Sequence, residues 1–512
     1  MIEPLEIIVP RSGDADAREM IKLYKADNSD KNVTVEEAAD ELFTDGCKRL
    51  QTVLGSESKL AQLLSNLNDS SAGCLVVLVE YLRQFGMEAA IVATDSLAAL
   101  NVEETMRLPA ITFRNLELFQ SSGGNGGRRG SLFHALNRTR TRMGARMFRD
   151  WMAAPLTNVE RIKERQDAIT FLMQPGNEIS SNFRHRAFFR SVDLEVALMA
   201  VLYRKIRPAD FFRLCGTMHK LYNEAIGATE SLSVAGIPIL LKKILDEIIL
   251  AFDKSGDLCT RIDEQAAKDL KWERLFKDYE FAPDVKNREN EILELEANFE
   301  SHTREIMKKL GLFSFKYSTV SGLEYLIEVK QTAANSVPKD WIKINSTKQV
   351  ARFRSPFLVS NLPKLQYLRE CLVSDCKKAW ASFLDEIVSS GLAEFQNGAK
   401  RVAELDCLIS MAEVARRDGF CLPQFNGDGV VCIEKGRNIV VERSLSVHEQ
   451  FVPNDVNLAR SGTRALVLTG PNMGGKSCYI RQLGTIAIMA QIGGYVPAAR
   501  ANLPVFDGLF VR

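Results

Sequence analysis

Eight residues near the carboxy-terminal end, Gly470-Pro471-Asn472-Met473-Gly474-Gly475-Lys476-Ser477, have the types and spacing needed to hold a nucleoside triphosphate. They fit GxxxxGK[ST], in which glycines let backbone N–H groups turn inward on phosphate oxygens. In such a loop Lys476 neutralises charge on the β- and γ-phosphates, and the Ser477 hydroxyl ligates Mg²⁺. The helix that follows turns its positive dipole end on the same anion. ATP and Mg²⁺ are therefore the expected ligands. The bland alternative, a glycine-rich turn without a ligand, leaves the adjoining lysine and serine unexplained.

Such a loop needs a strand before it and a helix after it. The flanking residues predict both: Arg464-Ala465-Leu466-Val467-Leu468-Thr469 reads as a short apolar strand, and Tyr479 to about Ile492 as a helix. A chain of 512 residues is longer than one such unit, and its length predicts roughly three or four domains. Hydrophobic residues at 46% and charged residues at 26% exclude the disordered and collagen-like classes. Lys plus Arg (66) nearly cancels Asp plus Glu (65), so only local patches can point to nucleic acid. Ten cysteines without a CxxC pair, and five histidines away from metal-ligand spacing, read as reduced, mostly buried thiols. No basic stretch precedes an apolar run at the amino terminus, and no run of about 18 apolar residues occurs. A soluble intracellular protein without a membrane partner is expected.

Pro4 to Pro10 reads as a short strand and Ala17 to Lys25 as a helix. From about Val35 to Leu100 apolar residues recur at helical spacing, and this pattern places the β-branched run Leu75-Val76-Val77-Leu78-Val79 in a helix. Ser121 to Gly130 is a flexible loop by composition. Arg128, Arg129, Arg138, Arg140, Arg142, Arg146 and Arg149 follow with no acidic residue among them, either as a solvated or ion-paired face or as phosphate contacts. Val285, Ile292, Phe299 and Ile306 recur every seven residues, with a weaker seam of Leu295, His302 and Lys309, which reads as a long two-helix arm. His302 fits a seam residue better than a ligand. Tyr325 to Lys330 and Trp341 to Ile344 read as strands around a turn at Pro338-Lys339-Asp340, and Leu362 to about Ala415 as the returning helix. Between Lys316 and Arg354 seven basic residues face three acidic ones, a net +4. Lys339, Lys343, Lys348, Arg352 and Arg354 in this tip are candidate contacts for a phosphate backbone, or else a solubilising surface.

Thr469 to Ser477, TGPNMGGKS, resembles the P-loop of the MutS family, whose inner PNMG is not typical of other NTPases. Tyr479-Ile480-Arg481-Gln482 and Met489 to Ala498 resemble that family's first ATPase helix and the turn after it. Phe451-Val452-Pro453-Asn454-Asp455-Val456-Asn457-Leu458 is similar to the segment whose aromatic packs on adenine, which gives Phe451 that role; by residue type alone Phe451 reads as core. Gly130-Ser131-Leu132, Asn137-Arg138-Thr139, Met143 to Arg146 and Trp151 to Leu156 resemble the core and lever signature. Thr319 to Gly322, Val329-Lys330 and Val337 to Lys343 resemble the clamp of the branch that forms the MutS beta heterodimer. The chain departs from the family at Asn438-Ile439, where histidine and proline are usual, and at Cys478, where threonine is common.

The resemblance implies a multidomain fold: a mainly α core and lever with long helical arms, a small β-rich clamp, and a carboxy-terminal incomplete α/β P-loop ATPase domain. Its boundaries would be a connector remnant at 1–30, helical core and lever at 35–280, clamp with arm helices at 281–384, return helix at 385–414 and ATPase at 415–512. It implies DNA mismatch repair in the nucleus, by ATP-dependent binding of duplex DNA with mismatches or insertion/deletion loops. A second MutS homologue subunit and a MutL-type partner would join it. The family's mismatch-reading domain would precede Met1 and its Walker B pair would follow Arg512, so these residues alone are expected not to hydrolyse ATP; Asp507 is the one acidic residue after Ser477. Two other readings stay open: a non-catalytic, meiotic-type DNA clamp scaffold of the same family, and an unrelated P-loop NTPase with a coiled-coil arm.

Overall fold

A computed structural model describes residues 4–13, 15–27, 32–54, 67–88, 91, 104–121, 130–175, 177–188, 190–231, 236–417, 419–445, 450–472 and 474–512. Most of the expected glycine loop, with Arg128 and Arg129, lies outside these residues, as does Met473. Among the described residues the longer helices are, in chain order, α1 (Ala15–Asp27), α2 (Gly46–Leu54), α3 (Asp69–Gln84), α4 (Arg142–Ala153), α5 (Val159–Met173), α6 (Leu194–Leu202), α7 (Pro208–Ser231), α8 (Ile239–Phe252), α9 (Pro283–Leu310), α10 (Pro356–Ser390), α11 (Leu392–Ala415) and α12 (Lys476–Gln491). The strands are β1 (Glu6–Pro10), β2 (Thr34–Ala38), β3 (Ser318–Val320), β4 (Leu323–Lys330), β5 (Ile342–Ser346), β6 (Val350–Arg354), β7 (Gln424–Asn426), β8 (Val431–Gly436), β9 (Asn454–Leu458) and β10 (Arg500–Pro504). They make a helix-rich chain with small sheets, divided into two units. One unit comprises Met1–Lys205, Arg213–Gly256 and Gly391–Arg512; the other comprises Ile206–Phe212 and Asp257–Ser390.

In the first unit β1 and β2 pair in parallel, Ile7 opposite Val35, with α1 as the crossover. This corrects the helical reading at Val35. Five residues are too few to show a strand period against the helical pattern that follows, and the pairing partner lies outside any local window. The run Leu75 to Val79 does lie in a helix, α3, which buries Val76, Val77 and Val79. Asn68 caps that helix, its side chain accepting from the Ser71 N–H at 2.8 Å.

The core of this unit is built around α11, which packs against α4, α5, α6 and α8 and is buried at every position from Leu405 to Ala412. A helix buried on all sides must satisfy its polar side chains internally. Asp406, 1% exposed, accepts the backbone N–H groups of Arg140 (3.0 Å) and Thr141 (2.8 Å) and the Thr141 hydroxyl (2.7 Å). Thr141 is the N-cap of α4, and its Oγ1 accepts the Gly144 N–H at 2.9 Å. Gly144 has to be glycine because a Cβ there would sit 2.4 Å from Asp406 Oδ2. One turn further along α11, the Ser410 hydroxyl accepts the Arg138 N–H at 2.7 Å. Arg146 is tied to Asp193 (2.7 Å) and Glu195, and Arg149 lies over the Phe119 ring at 4.5 Å. Of the arginine run, Arg138 and Arg140 are thus fixed through their backbones and Arg146 and Arg149 through their side chains, which places them within the core's own framework.

In the second unit α9 and α10 pack side by side and antiparallel: Arg288 meets Asp375, Glu296 meets Arg369 and His302 meets Ser355. Val285, Ile292, Phe299 and Ile306 form the buried stripe of α9, as their spacing predicts. Phe211, Phe276, Trp380 and Phe383 pack together within the same unit, with ring centroids 5.1–5.7 Å apart for the closest pairs. Between the arm helices lies an antiparallel sheet of order β3-β4-β6-β5. The helix expected to run from Leu362 to Ala415 is instead two. Gly391 leaves the helical conformation (ψ −5° at φ −158°) and stands as the N-cap of α11.

Removing the Asp406 carboxylate would leave two backbone N–H groups and the capping hydroxyl without an acceptor. Asp406→Ala should destabilise the chain by at least about 2 kcal/mol in urea unfolding; a change below about 0.5 kcal/mol, the range of an ordinary surface substitution, would remove Asp406 from this role. The His302 ring, 6% exposed, lies 2.8 Å from Ser355 Oγ and 3.2 Å from Glu305 Oε2. Burial holds its pKa below the ordinary imidazole range, with Glu305 opposing and Lys309 adding to the shift. The unfolded chain then binds the proton more readily than the folded one. Stability from this group is present above about pH 6.5 and is lost as pH falls through the lower folded value. Protection factors for hydrogen exchange of the α9 and α10 amides, taken relative to the intrinsic rate at each pH, should fall between pH 7.5 and 5.5, and His302→Gln should flatten that dependence. An equal pH response in the variant would assign it to other groups.

Candidate functional site

The glycine motif sits between a small mixed sheet and α12. The sheet has the order β7-β10-β8-β9; β10 is parallel to β7 and antiparallel to β8, and β8 is antiparallel to β9. Residues 463–471 form no strand, contrary to the reading of Arg464 to Thr469. A strand exists through its partner, and no described strand pairs with this segment; Leu466 and Val467 are 51% and 85% exposed. Beyond it the chain turns as the motif requires. Gly475 takes φ +85° as the N-cap of α12, a conformation that favours glycine, and a Cβ on Gly470 or Gly475 would meet nothing within 4 Å.

Lys476 Nζ donates to the carbonyl of Gly470 and, at 3.0 Å, to that of Pro471. Its charge is therefore held over the loop by neutral oxygens. Ser477 is exposed in the first turn of α12, and Gly474 N–H donates to the Pro471 carbonyl at 3.2 Å. An open glycine cradle, a lysine bound only to carbonyls and a helix N-terminus form a donor set complementary to phosphate oxygens, so the residues present fit a nucleotide. Among the described residues no group of three or more His, Cys, Asp or Glu side chains could hold a metal ion; the exposed Ser477 hydroxyl is the group that the motif itself offers to Mg²⁺. Phe451, the candidate adenine platform, is half-buried just before β9.

The opposite end of α12 is anchored in ways the sequence did not reveal. Gln491, fully buried, donates from Nε2 to the carbonyls of Leu156 (2.7 Å) and Phe506 (2.9 Å) and accepts the Phe506 N–H at 2.8 Å. Arg165 Nη1 donates to the Ile492 carbonyl at 3.2 Å, at the C-cap of α12. Gly493, at φ +92°, permits this approach, since a Cβ there would lie 2.6 Å from Arg165 Cβ. On the side of the helix, Tyr479 Oη donates to the Asp455 carbonyl at 2.9 Å, and Gln482 shares hydrogen bonds of 3.4 Å with Asn454 of β9. The two departures from the family pattern meet: Asn438 caps the short helix Ile439–Ser444 with its Oδ1, while its Nδ2 donates to the Cys478 carbonyl at 3.4 Å. The change at Asn438 thus supplies its own local cap.

In the second unit, the candidate DNA contacts separate into two groups. Lys339, Lys343 and Lys348 are exposed and enter no ion pair among the described residues. Arg352 instead lies opposite Glu328 in the β4–β6 register, with Nε 2.6 Å from its carboxylate and Nη1 3.2 Å from Asn345 Oδ1. Arg354 donates to the Glu324 carbonyl at 3.2 Å. No helix of the described residues is long and apolar enough to cross a membrane.

Residues 111–412 match the family model of MutS domain III, and residues 466–512 that of MutS domain V. The chain is 31% identical to the DNA mismatch repair protein Msh3 of Homo sapiens over 522 residues, covering all of this chain and 46% of that protein. It is 33% identical to the DNA mismatch repair protein msh3 of Aspergillus oryzae over 458 residues, covering 89% of this chain and 41% of that protein. The chain thus spans about half the length of the relatives it matches. With domain III alone covering more than half of its residues, the chain belongs to the MutS family.

Proposed function

We propose that this chain is the core, clamp and nucleotide-binding part of a DNA mismatch-repair subunit that binds mismatched or looped duplex DNA under the control of ATP. In this reading 281–384 are the clamp and its arm helices, 35–280 and 385–414 the core and lever, 415–512 the nucleotide-binding region, and 1–30 part of a connector. The observation that carries it is the pairing, in one chain, of an open glycine cradle at Lys476 with a sheet on a two-helix arm that exposes Lys339, Lys343 and Lys348. The similarity to DNA mismatch repair proteins supports repair as the process. A second MutS homologue would complete the DNA-encircling pair, a MutL-type protein would act downstream, and the site of action is the nucleus.

The residues divide the work by chemistry. Exposed lysines are mobile point charges that neutralise phosphates without reading bases. Lys476 and the glycine N–H groups hold the polyphosphate, and Ser477 offers its hydroxyl to Mg²⁺. Bound ATP would supply the polyphosphate charge that this loop is built to hold. Phe451 stacks on the base.

DNA binding by the 512-residue chain should follow salt steeply. Lys339→Glu, Lys343→Glu and Lys348→Glu together should weaken binding to all sequences and reduce the slope of log K against log salt by about 2–3. An unchanged slope would take the sheet off the DNA. If ATP leaves the affinity for looped duplex unaltered in the presence of an intact Lys476, the chain is a non-catalytic clamp of the same family.

For the nucleotide site, Lys476→Ala should sharply weaken binding of a fluorescent ATP analogue at the glycine loop. Phe451→Ala should weaken it by about five- to 150-fold, the range of an aromatic–base stack. Equal affinity in a folded Phe451→Ala variant would return that ring to the core.

A further inference from the structure

A cleft of about 500 Å³ opens on the first unit among α4, α5, α8 and α11, away from the glycine loop. Small-ligand sites commonly fall in this size range. Its wall is uneven in charge. Arg161, Arg165, Lys243, Lys400 and Arg401 line it against two carboxylates, Glu164 and Glu404. Arg401 is committed to Glu247 (2.6 Å) and Glu404 (2.7 Å), and Arg161 to Glu104 (2.8 Å). Arg165, Lys243 and Lys400 enter no ion pair among the described residues.

Arg165 is the unusual member. It is only 8% exposed, yet no carboxylate touches it. Its charge rests on the face of Trp151, 3.5 Å from the ring centroid, and on the Ile492 carbonyl at 3.2 Å. Burial pulls its pKa down to about 10, with the Glu404 charge opposing. A buried guanidinium without an anionic partner is costly, and the two contacts it makes leave the other N–H donors of its fork without an acceptor among the described residues. The same contacts fix the plane of the guanidinium, so those donors are preorganised.

We propose that this cleft binds a small ligand carrying two or more linked phosphate groups, gripped by the Arg165 fork and by Lys243 and Lys400. A guanidinium donates in parallel to two oxygens of one phosphoryl group, and the two ammonium groups, both exposed at the cleft wall, neutralise the next. Inorganic polyphosphate and the phosphate tail of a nucleotide share this chemistry. Duplex DNA is too wide for a space of this volume.

The test uses the 512-residue chain carrying Lys476→Ala, so that the glycine loop does not contribute. Isothermal titration with sodium tripolyphosphate should give one saturable site per chain. Lys243→Gln combined with Lys400→Gln should weaken it at least tenfold; both side chains are exposed, so the fold is not at risk. Arg165→Lys should retain weaker binding, because the charge remains and the fork is lost. Titration with ADP and with adenosine separates the sources: affinity for ADP above that for pyrophosphate assigns a nucleotide, and equal affinities assign the polyphosphate alone. Absence of a saturable site, unchanged affinity in the Lys243→Gln, Lys400→Gln variant, or adenosine binding as tightly as ADP would each overturn the proposal.

Discussion

The carboxylate of Asp406 is the constraint on which the first unit is organised. It sits in the middle of a helix that is buried on every side over two turns, where an unpaired charge would be untenable. Burial alone raises its pKa, and the N–H groups of Arg140 and Thr141 and the Thr141 hydroxyl pull the other way. The donors come from the turn that starts α4, so satisfying the carboxylate fixes where that helix begins. The chain of bonds from Gly144 N–H to Thr141 Oγ1 to Asp406 makes the helix cap and the buried charge a single device, in which each bond polarises the next. Ser410 repeats the arrangement one turn later with Arg138. Apolar packing among α4, α5, α6, α8 and α11 supplies the bulk of burial, and these polar tethers set its register.

From that core the support of α12 follows. α12 is about 24 Å long at the usual rise per residue. Its C-terminal end is locked by Gln491 to two separate backbone segments and by Arg165 to α5. Its N-terminal end is the open glycine loop. Positive charge at the C-cap complements the negative end of the helix dipole, while the positive end is left for an anion. The helix is therefore polarised in its contacts as well as in its dipole: rigid protein at one end, ligand chemistry at the other.

What could be read from the sequence was whatever a short window contains. The stripe of Val285, Ile292, Phe299 and Ile306 is a local period, and all four are buried. The glycine, lysine and serine of the loop are contiguous, and α12 starts at the lysine. What escaped depended on partners far away in the chain. Val35 is a strand residue because Ile7 is beside it, and Arg464 to Thr469 is not a strand because no described strand is beside it. Gln491 stood in a segment read for its family resemblance, yet its role requires Leu156 and Phe506 to be near. Gly391 was hidden for another reason: a single glycine inside two long helical patterns is usually tolerated, and only its dihedral angles reveal a break.

The candidate DNA surface shows the same division in its charges. Sequence alone gives Arg352, Arg354, Lys339, Lys343 and Lys348 one label, basic, but register separates them. Glu328 is placed directly opposite Arg352, and a planar guanidinium suits a fixed neighbour: it reaches the carboxylate with Nε and Asn345 with Nη1, joining β4, β6 and β5 into one face. Arg354 ties the end of β6 to the start of β4 in a similar way through the Glu324 carbonyl. The lysines have no such neighbour. A flexible ammonium has little to gain from a rigid partner, and its position can adapt to that of a mobile anion. The arginines build the sheet, and the lysines are what it has to offer.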